Sequence, residues 1–302
     1  MASTELATER ALYVGNMIST AIYGGNLFLY AYSTYLLMTS SKQVQHRIFY
    51  ICFGGFLLLL LTISVAGNIA FCELMWIERR NNPGGPPAFF AANMSAWYNA
   101  FATAAMCLAN MMTDGLLLYR CYIIWGSRLP VIVIPGIIYL GSATMAVMMV
   151  IESAMPMSNL WRGLPAQFAI SWIALTVSFN IIVTALIISR LLFFYRRVRS
   201  FLNDEQRNIY TGIVAILVES TLPFTVLGIV SLATYIQGAP CAMGIEIIWA
   251  TFMVLSPQLI ILRVASGVAW SKDTACNITQ HATFPRNSSS GSSTISMHSK
   301  NP

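Results

Sequence analysis

The sequence predicts an all-α membrane protein built as a seven-transmembrane-helix bundle. Of its 302 residues, 57% are hydrophobic and only 9% are charged, whereas about a quarter of the residues of a soluble domain are charged. Seven segments each offer about 20 predominantly apolar residues, the length that crosses a bilayer as a helix. These segments cover residues 11–38, 48–76, 99–125, 129–154, 167–194, 209–236 and 243–264.

The amino-terminal end predicts a short extracellular segment, residues 1–10, followed by a retained first helix. Glu5, Glu9 and Arg10 precede an uncharged apolar run that is much longer than a signal-peptide core of about 7–15 residues. Between the second and third helices, residues 81–87 are rich in Asn, Pro and Gly. This composition predicts an outside loop without a helix.

The distribution of Lys and Arg predicts the orientation of the bundle. Thirteen of the 17 basic residues lie near the carboxyl-terminal ends of the first, third and fifth helices, in the segments that follow them, or from Arg263 to the carboxyl terminus. Because cytoplasmic segments carry the basic excess, we expect the amino terminus outside and the carboxyl terminus inside. In the tail, Trp270 predicts a short interfacial helix, and the serine-rich composition predicts disorder from about residue 287.

The third predicted helix ends in the stretch Asp114–Trp125, which combines an acid, an arginine and three aromatic residues. Aromatic rings with polar tips collect at membrane interfaces, and Arg120 is expected to extend toward the same interface. Asp114 lies about 16 Å from Trp125 along the helix, near the middle of a bilayer core about 30 Å thick. An ionisable group at that depth predicts a functional site.

A second acid, Glu219, is expected at similar depth on the sixth helix. Asn110 and Asn180 are placed where their amides could bond to these two carboxyl groups. One interpretation is a buried site for a proton or an ion. The other is a pair of protonated acids that hold helices together, each hydrogen bond contributing about 0.6 kcal/mol.

A set of acids, an amide and tryptophans lies at the helix ends that face the predicted outside. Helical bundles often bind ligands between their helices, and this outer rim would suit a cationic or polar ligand. The simpler interpretation is that such residues belong to the membrane interface. The members of this rim are Asn68, Glu73, Glu152, Trp172, Glu246 and Trp249.

Two prolines and a basic segment are candidates for conformational coupling. Pro223 and Pro257 lie within the sixth and seventh predicted helices, where proline removes a backbone hydrogen bond and predicts a hinge. Arg196, Arg197 and Arg199 follow the fifth helix. They predict either attraction to anionic lipid, at about 1 kcal/mol per residue, or a docking surface for a cytoplasmic signalling protein.

Two motifs resemble a large family of seven-helix membrane proteins from mushroom-forming (basidiomycete) fungi. They are the stretch Asp114–Trp125 and the stretch from Ser256 to Ala265. The resemblance extends from the first helix to Trp270, although Val268 and Ala269 stand where relatives tend to carry an arginine. It implies the fold and a fungal source, and implies no particular activity.

The sequence therefore predicts a receptor-like protein of the plasma membrane that senses a small extracellular or membrane-soluble ligand. Its signal would pass through the cytoplasmic ends of the third, fifth and sixth helices, including Arg120. The alternatives are a proton- or cation-coupled transporter that uses Asp114 and Glu219, and a scaffold in an internal membrane. We expect no enzyme activity, metal, cofactor or nucleic-acid partner. Asn93 is expected to be a glycosylation acceptor.

Overall fold

The computed structural model describes residues 2–39, 47–81, 83, 85–126, 129–155, 164–198 and 221–283. Within these ranges the chain is helical and contains no strand, so the prediction of an all-α protein is confirmed for the described residues. The helices are α1 (Ala2–Thr39), α2 (Arg47–Glu73), α3 (Gly85–Asn93), α4 (Trp97–Ile124), α5 (Leu129–Ser153), α6 (Leu164–Val198), α7 (Thr221–Ile236) and α8 (Ala242–Thr283).

Five of the described helices are long and apolar enough to cross a membrane. They are α2 with its π-helical extension to Glu78, α4, α5, the segment Ala166–Arg190 of α6, and the segment Ala242–Arg263 of α8. Helix α7 is apolar but shorter in its described part. Several apolar helices of this length are typical of a multi-pass membrane protein.

Two predicted boundaries differ from the structure. The region predicted as a loop contains α3, which begins at Gly85 with a positive φ of 66°. The next two residues are prolines, which the first turn of a helix tolerates because its N–H groups have no intrahelical partner. Helix α8 also continues to Thr283 instead of ending near residue 264, so the predicted interfacial helix is part of it.

Helix α4 lies at the centre of the bundle and contacts α2, α5, α6 and α8. Helix α1 packs on α8 and α2. The backbones of α1 and α8 approach closely where Gly15 faces Gly244, since a Cβ atom on Gly15 would lie 2.7 Å from the Gly244 Cα atom. A Cβ atom on Gly244 would overlap the Ala11 carbonyl oxygen. Small residues permit such contacts between membrane helices.

In α1 the polar side chains face the bundle and the large apolar side chains face outward, which we call an inside-out distribution. Asn16, Ser19 and Asn26 are buried against the bundle, while large apolar side chains such as Met17 and Phe28 are exposed. In water this arrangement would be unfavourable, whereas in a bilayer lipid covers the apolar face.

Candidate functional site

A partly open cavity, here called the outer cavity, lies between α2, α4, α5, α6 and α8. Its volume is about 160 Å³, similar to the cavity of about 150 Å³ that binds benzene in an engineered protein. Four of the six residues predicted for the outer rim line it, while Glu73 is exposed and Glu152 half-buried outside it. The lining residues are Ser64, Asn68, Ala102, Thr103, Met106, Cys107, Met149, Trp172, Glu246, Ile247, Trp249 and Ala250.

Glu246 supplies the acidic group of the outer cavity. It lies one helical turn before Trp249, so the carboxylate and the indole share one face of α8. Among the described residues, no basic side chain lies within ion-pair distance of Glu246, and none of the hydrogen bonds found there involves it. A carboxylate placed in an apolar bundle without a partner is costly, which makes Glu246 a candidate functional residue.

Two tryptophans form the aromatic wall of the outer cavity. Trp172 and Trp249 are both buried and meet edge to face with their ring centroids 5.8 Å apart. The Trp172 indole nitrogen is buried and has no hydrogen-bond partner among the described residues. An indole N–H normally finds a partner when it is buried, so a molecule in the cavity would complete this site.

Trp249 also connects the outer cavity to α7. Its indole nitrogen donates a hydrogen bond of 3.1 Å to the Phe224 carbonyl oxygen, and the two rings stack with centroids 5.4 Å apart. Gly228 makes room for this contact, since a Cβ atom there would lie 2.9 Å from the Trp249 indole nitrogen. The pairing therefore fixes the register of α7 against α8.

A smaller inner pocket of about 20 Å³ has Phe224 in its wall. It is large enough for a water molecule. Asp114, Arg120 and Asn180 provide charged and amide groups, Thr113 and Ser256 provide hydroxyls, and Pro257 of α8 contributes to the wall. The inner pocket is lined by Thr113, Asp114, Leu116, Leu117, Arg120, Asn180, Phe224, Met253, Ser256, Pro257 and Ile260.

Asp114 anchors a hydrogen-bond network that joins α4, α5 and α6. It is buried, and its Oδ1 atom accepts a bond of 3.0 Å from the Asn180 side-chain amide. The Thr176 hydroxyl accepts from the Asn110 amide at 3.2 Å and pairs with the Ser142 hydroxyl at 2.8 Å. Three of the four residues predicted for a buried polar site thus lie together. The fourth, Glu219, lies outside the described residues.

The network includes Thr176 and Ser142, which sequence reasoning missed. A signal for Thr176 was present, because Asn110 precedes Asp114 by four residues in α4 and Thr176 precedes Asn180 by four in α6. Residues four apart lie on one face of a helix. Two polar pairs with the same spacing therefore indicate two facing polar stripes.

Arg120 does not extend outward to the membrane surface as expected. It lines the inner pocket, and its Nη2 atom is buried without a hydrogen-bond partner among the described residues. Thr113, Leu117 and Arg120 recur at helical spacing and line the same pocket. The arginine consequently faces the interior of the bundle, where it shares a pocket with Asp114.

Trp125 joins the end of α4 to α6. Its indole nitrogen donates to the Leu186 carbonyl oxygen at 3.1 Å, and the Arg190 guanidinium lies 5.4 Å from its ring centroid. Such a cation–π contact contributes roughly 0.5–2 kcal/mol. Trp125 therefore packs between two helices and is more than a membrane-interface residue.

The remaining predicted residues are placed as follows. Pro257 is buried inside α8, and Pro223 lies in the first turn of the described part of α7. Asn93 ends α3, where its amide donates to the Phe89 carbonyl oxygen at 2.9 Å. Arg196 and Arg197 lie in the last turn of α6, but their side chains, like the whole of Arg199, are outside the described part of the chain.

Comparisons with known proteins name no relative. No family model matches the chain, and no curated protein does. Within the described residues, no group of three or more His, Cys, Asp or Glu side chains is arranged to hold a metal ion. The functional groups that line the two cavities are carboxylate, amide, hydroxyl, guanidinium, indole, thiol and thioether groups.

Proposed function

We propose that this chain is a receptor-like membrane protein whose seven helices enclose a binding site for a small ligand. The single observation that carries the proposal is the outer cavity, with an unpaired carboxylate and an unpaired indole N–H on its wall. Concave sites of mostly apolar lining with a few polar groups are typical of small-molecule binding. The proposed role is recognition and signalling, without catalysis.

The seven spans are α1, α2, α4, α5, α6, α7 and α8. Five of them meet the length and hydropathy of a membrane helix in their described parts. The inside-out distribution of α1 supports a sixth, since its buried polar residues and exposed apolar residues suit a lipid environment. For α7 the support is the apolar segment Thr221–Ile236 together with the predicted span at residues 209–236.

The proposed orientation has the amino terminus outside and the carboxyl terminus in the cytoplasm of a plasma-membrane protein. The Lys and Arg distribution supports it. In this orientation the outer cavity opens toward the extracellular end of the bundle, and the inner pocket lies deeper. The resemblance to the fungal seven-helix family supports the same fold and a fungal source.

A route for coupling runs from the outer cavity to the inner pocket. Trp249 lines the first, Phe224 lines the second, and the two residues are stacked and hydrogen-bonded. A ligand that moves the Trp249 ring must also move Phe224 or break their bond. Allosteric transmission requires such a physical link between two sites. The cytoplasmic ends of α4, α6 and α7 would then present the signal to a partner protein.

The transporter alternative keeps one supporting observation, the contact between Asp114 and Asn180 in the membrane-spanning region. Buried carboxyl groups occur in proton and ion pathways. Uptake or efflux that survives both Asp114→Asn and Glu219→Gln would contradict it. A tagged copy that remained in internal membranes would support the scaffold alternative.

The receptor proposal can be tested by blocking the outer cavity. Ala250 lines this cavity, whereas Ala70 of α2 is exposed on the lipid-facing surface. We expect Ala250→Phe to abolish stabilisation by compounds that raise the melting temperature of the wild type, and Ala70→Phe to preserve it. Epitope tags at the two termini test the orientation, since only the amino-terminal tag should be stained in intact cells.

A further inference from the structure

We propose that the outer cavity binds a small organic ammonium ion. In this arrangement the ammonium group lies against the Glu246 carboxylate, and the apolar body of the ligand lies along the Trp172 and Trp249 rings. This assignment rests on the proposed function and names the chemical class of its ligand.

The charge of the ligand follows from Glu246. Its carboxylate lines the outer cavity, and no basic residue of the described chain neutralises it there. An anionic ligand would be repelled, and a neutral ligand would leave the carboxylate without a counter-ion in a desolvated site. A cation supplies the missing partner directly.

The other residues that line the outer cavity indicate that the ligand is an organic cation. Two indole rings and two methionines, Met106 and Met149, occupy much of the lining. Indole faces attract ammonium groups more strongly than other aromatic rings do, and thioethers adapt to apolar ligands. A bare metal cation would instead require about six oxygen ligands, and only four lining residues carry a side-chain oxygen, namely Ser64, Asn68, Thr103 and Glu246.

The size of the ligand follows from the cavity volume. The volume of the outer cavity is about 160 Å³, and a cavity of about 150 Å³ holds benzene. A ring-sized body with one ammonium group fits this volume, whereas a lipid chain or a peptide does not. The unpaired Trp172 N–H offers one further contact, to a hydrogen-bond acceptor on the ligand or to a water molecule beside it.

The test is the thermal stability of the purified full-length protein with three probes of similar shape: benzylamine, benzyl alcohol and benzoate. Benzylamine is an ammonium ion at neutral pH, benzyl alcohol is neutral and benzoate is an anion. We expect benzylamine to raise the melting temperature by about 5 °C at one hundred times its Kd. Benzyl alcohol should bind at least tenfold more weakly, and benzoate should have no effect.

Substitutions test whether the Glu246 carboxylate causes the preference for benzylamine over benzyl alcohol. Glu246→Gln should bring the affinities for benzylamine and benzyl alcohol to within about twofold, and Glu246→Asp should restore part of the preference. Glu152→Gln is the matched control, because Glu152 lies at the same end of the bundle but does not line the outer cavity. It should leave both affinities unchanged. The wild-type comparison stays informative even if Glu246→Gln fails to fold.

The outcomes separate the ligand class from the proposed function. Equal binding of benzylamine and benzyl alcohol by the wild type, or tighter binding of benzoate, would overturn the ammonium assignment while keeping a ligand-binding cavity. An unchanged preference in Glu246→Gln would also overturn it. The absence of a shift with all three probes would contradict both the assignment and the receptor proposal.

Discussion

The Trp249 indole nitrogen donates a hydrogen bond of 3.1 Å to the Phe224 carbonyl oxygen, and this contact lies between two cavities. The rings of the two residues are stacked at 5.4 Å. One residue belongs to α8 and the other to α7, so the pair joins two helices as well as two cavities. The first prediction concerns this bond.

Trp249→Phe should lower the free energy of unfolding by about 1–3 kcal/mol. The substitution removes the indole N–H, which leaves the Phe224 carbonyl oxygen without this donor, and it leaves a space in a fully buried site. Thermal unfolding of the protein in lipid nanodiscs measures the change. Trp97→Phe is the control, because Trp97 is 79% exposed and its substitution should have little effect. Equal stability of the two variants would contradict the prediction.

Gly228→Ala should destabilise the protein although alanine is the better helix former. Its Cβ atom would lie 2.6 Å from Val177 Cγ2 and 2.9 Å from the Trp249 indole nitrogen. Overpacking of this kind costs about 1–3 kcal/mol, which exceeds the gain of about 1 kcal/mol in helix propensity. Gly136→Ala in α5 meets no atom within 4 Å, so it should be neutral or slightly stabilising. If both variants had the same melting temperature, α7 would not pack on Trp249 as described.

The same substitution at two threonines of α6 should destabilise the protein at one position only. Thr176→Val removes the hydroxyl that bonds to Asn110 and Ser142, and we expect a loss of about 1–2 kcal/mol because interhelical bonds contribute about 0.6 kcal/mol each and at most about 1.7. The Thr184 hydroxyl is buried without a partner among the described residues. Thr184→Val should therefore be neutral or stabilising.

Chemical or thermal unfolding in the same lipid can compare these two variants directly. The two threonines lie on the same helix and the chemical change is identical, so the comparison contrasts a hydroxyl that bonds to Asn110 and Ser142 with a hydroxyl that has no partner among the described residues. A Thr176→Val variant at least as stable as Thr184→Val would show that the network around Asp114 does not hold α4, α5 and α6 together.

Much of the fold could be predicted from the sequence because the length of each apolar segment can be read directly along the chain. Six of the predicted spans fall on described helices, as does the described part of the span at residues 209–236, and Asp114 and Asn180 could be paired because both are polar residues deep in apolar segments. The position of a residue along a helix does not show which side of the bundle its side chain faces. For this reason Arg120 was expected at the membrane surface, although its helical spacing with Thr113 places it in the inner pocket.

The contact between Trp249 and Phe224 could not be predicted from the sequence. It depends on the register of α7 against α8, which is set by the space at Gly228 and by packing across three helices. Helix α3 was missed for another reason. Its Gly and Pro residues were interpreted as helix breakers, whereas they occupy the start of a helix, where proline is tolerated.

Hydrogen–deuterium exchange tests the coupling of the two cavities most directly. The measurement compares the wild type and Trp249→Phe, each with and without saturating amounts of whichever of benzylamine and benzyl alcohol binds more tightly. We predict slower exchange in wild-type peptides at residues 242–250, beside the outer cavity, and at residues 253–260, beside the inner pocket. In Trp249→Phe only the first change should remain. A wild-type response confined to residues 242–250 would contradict a link from the outer cavity to the inner pocket.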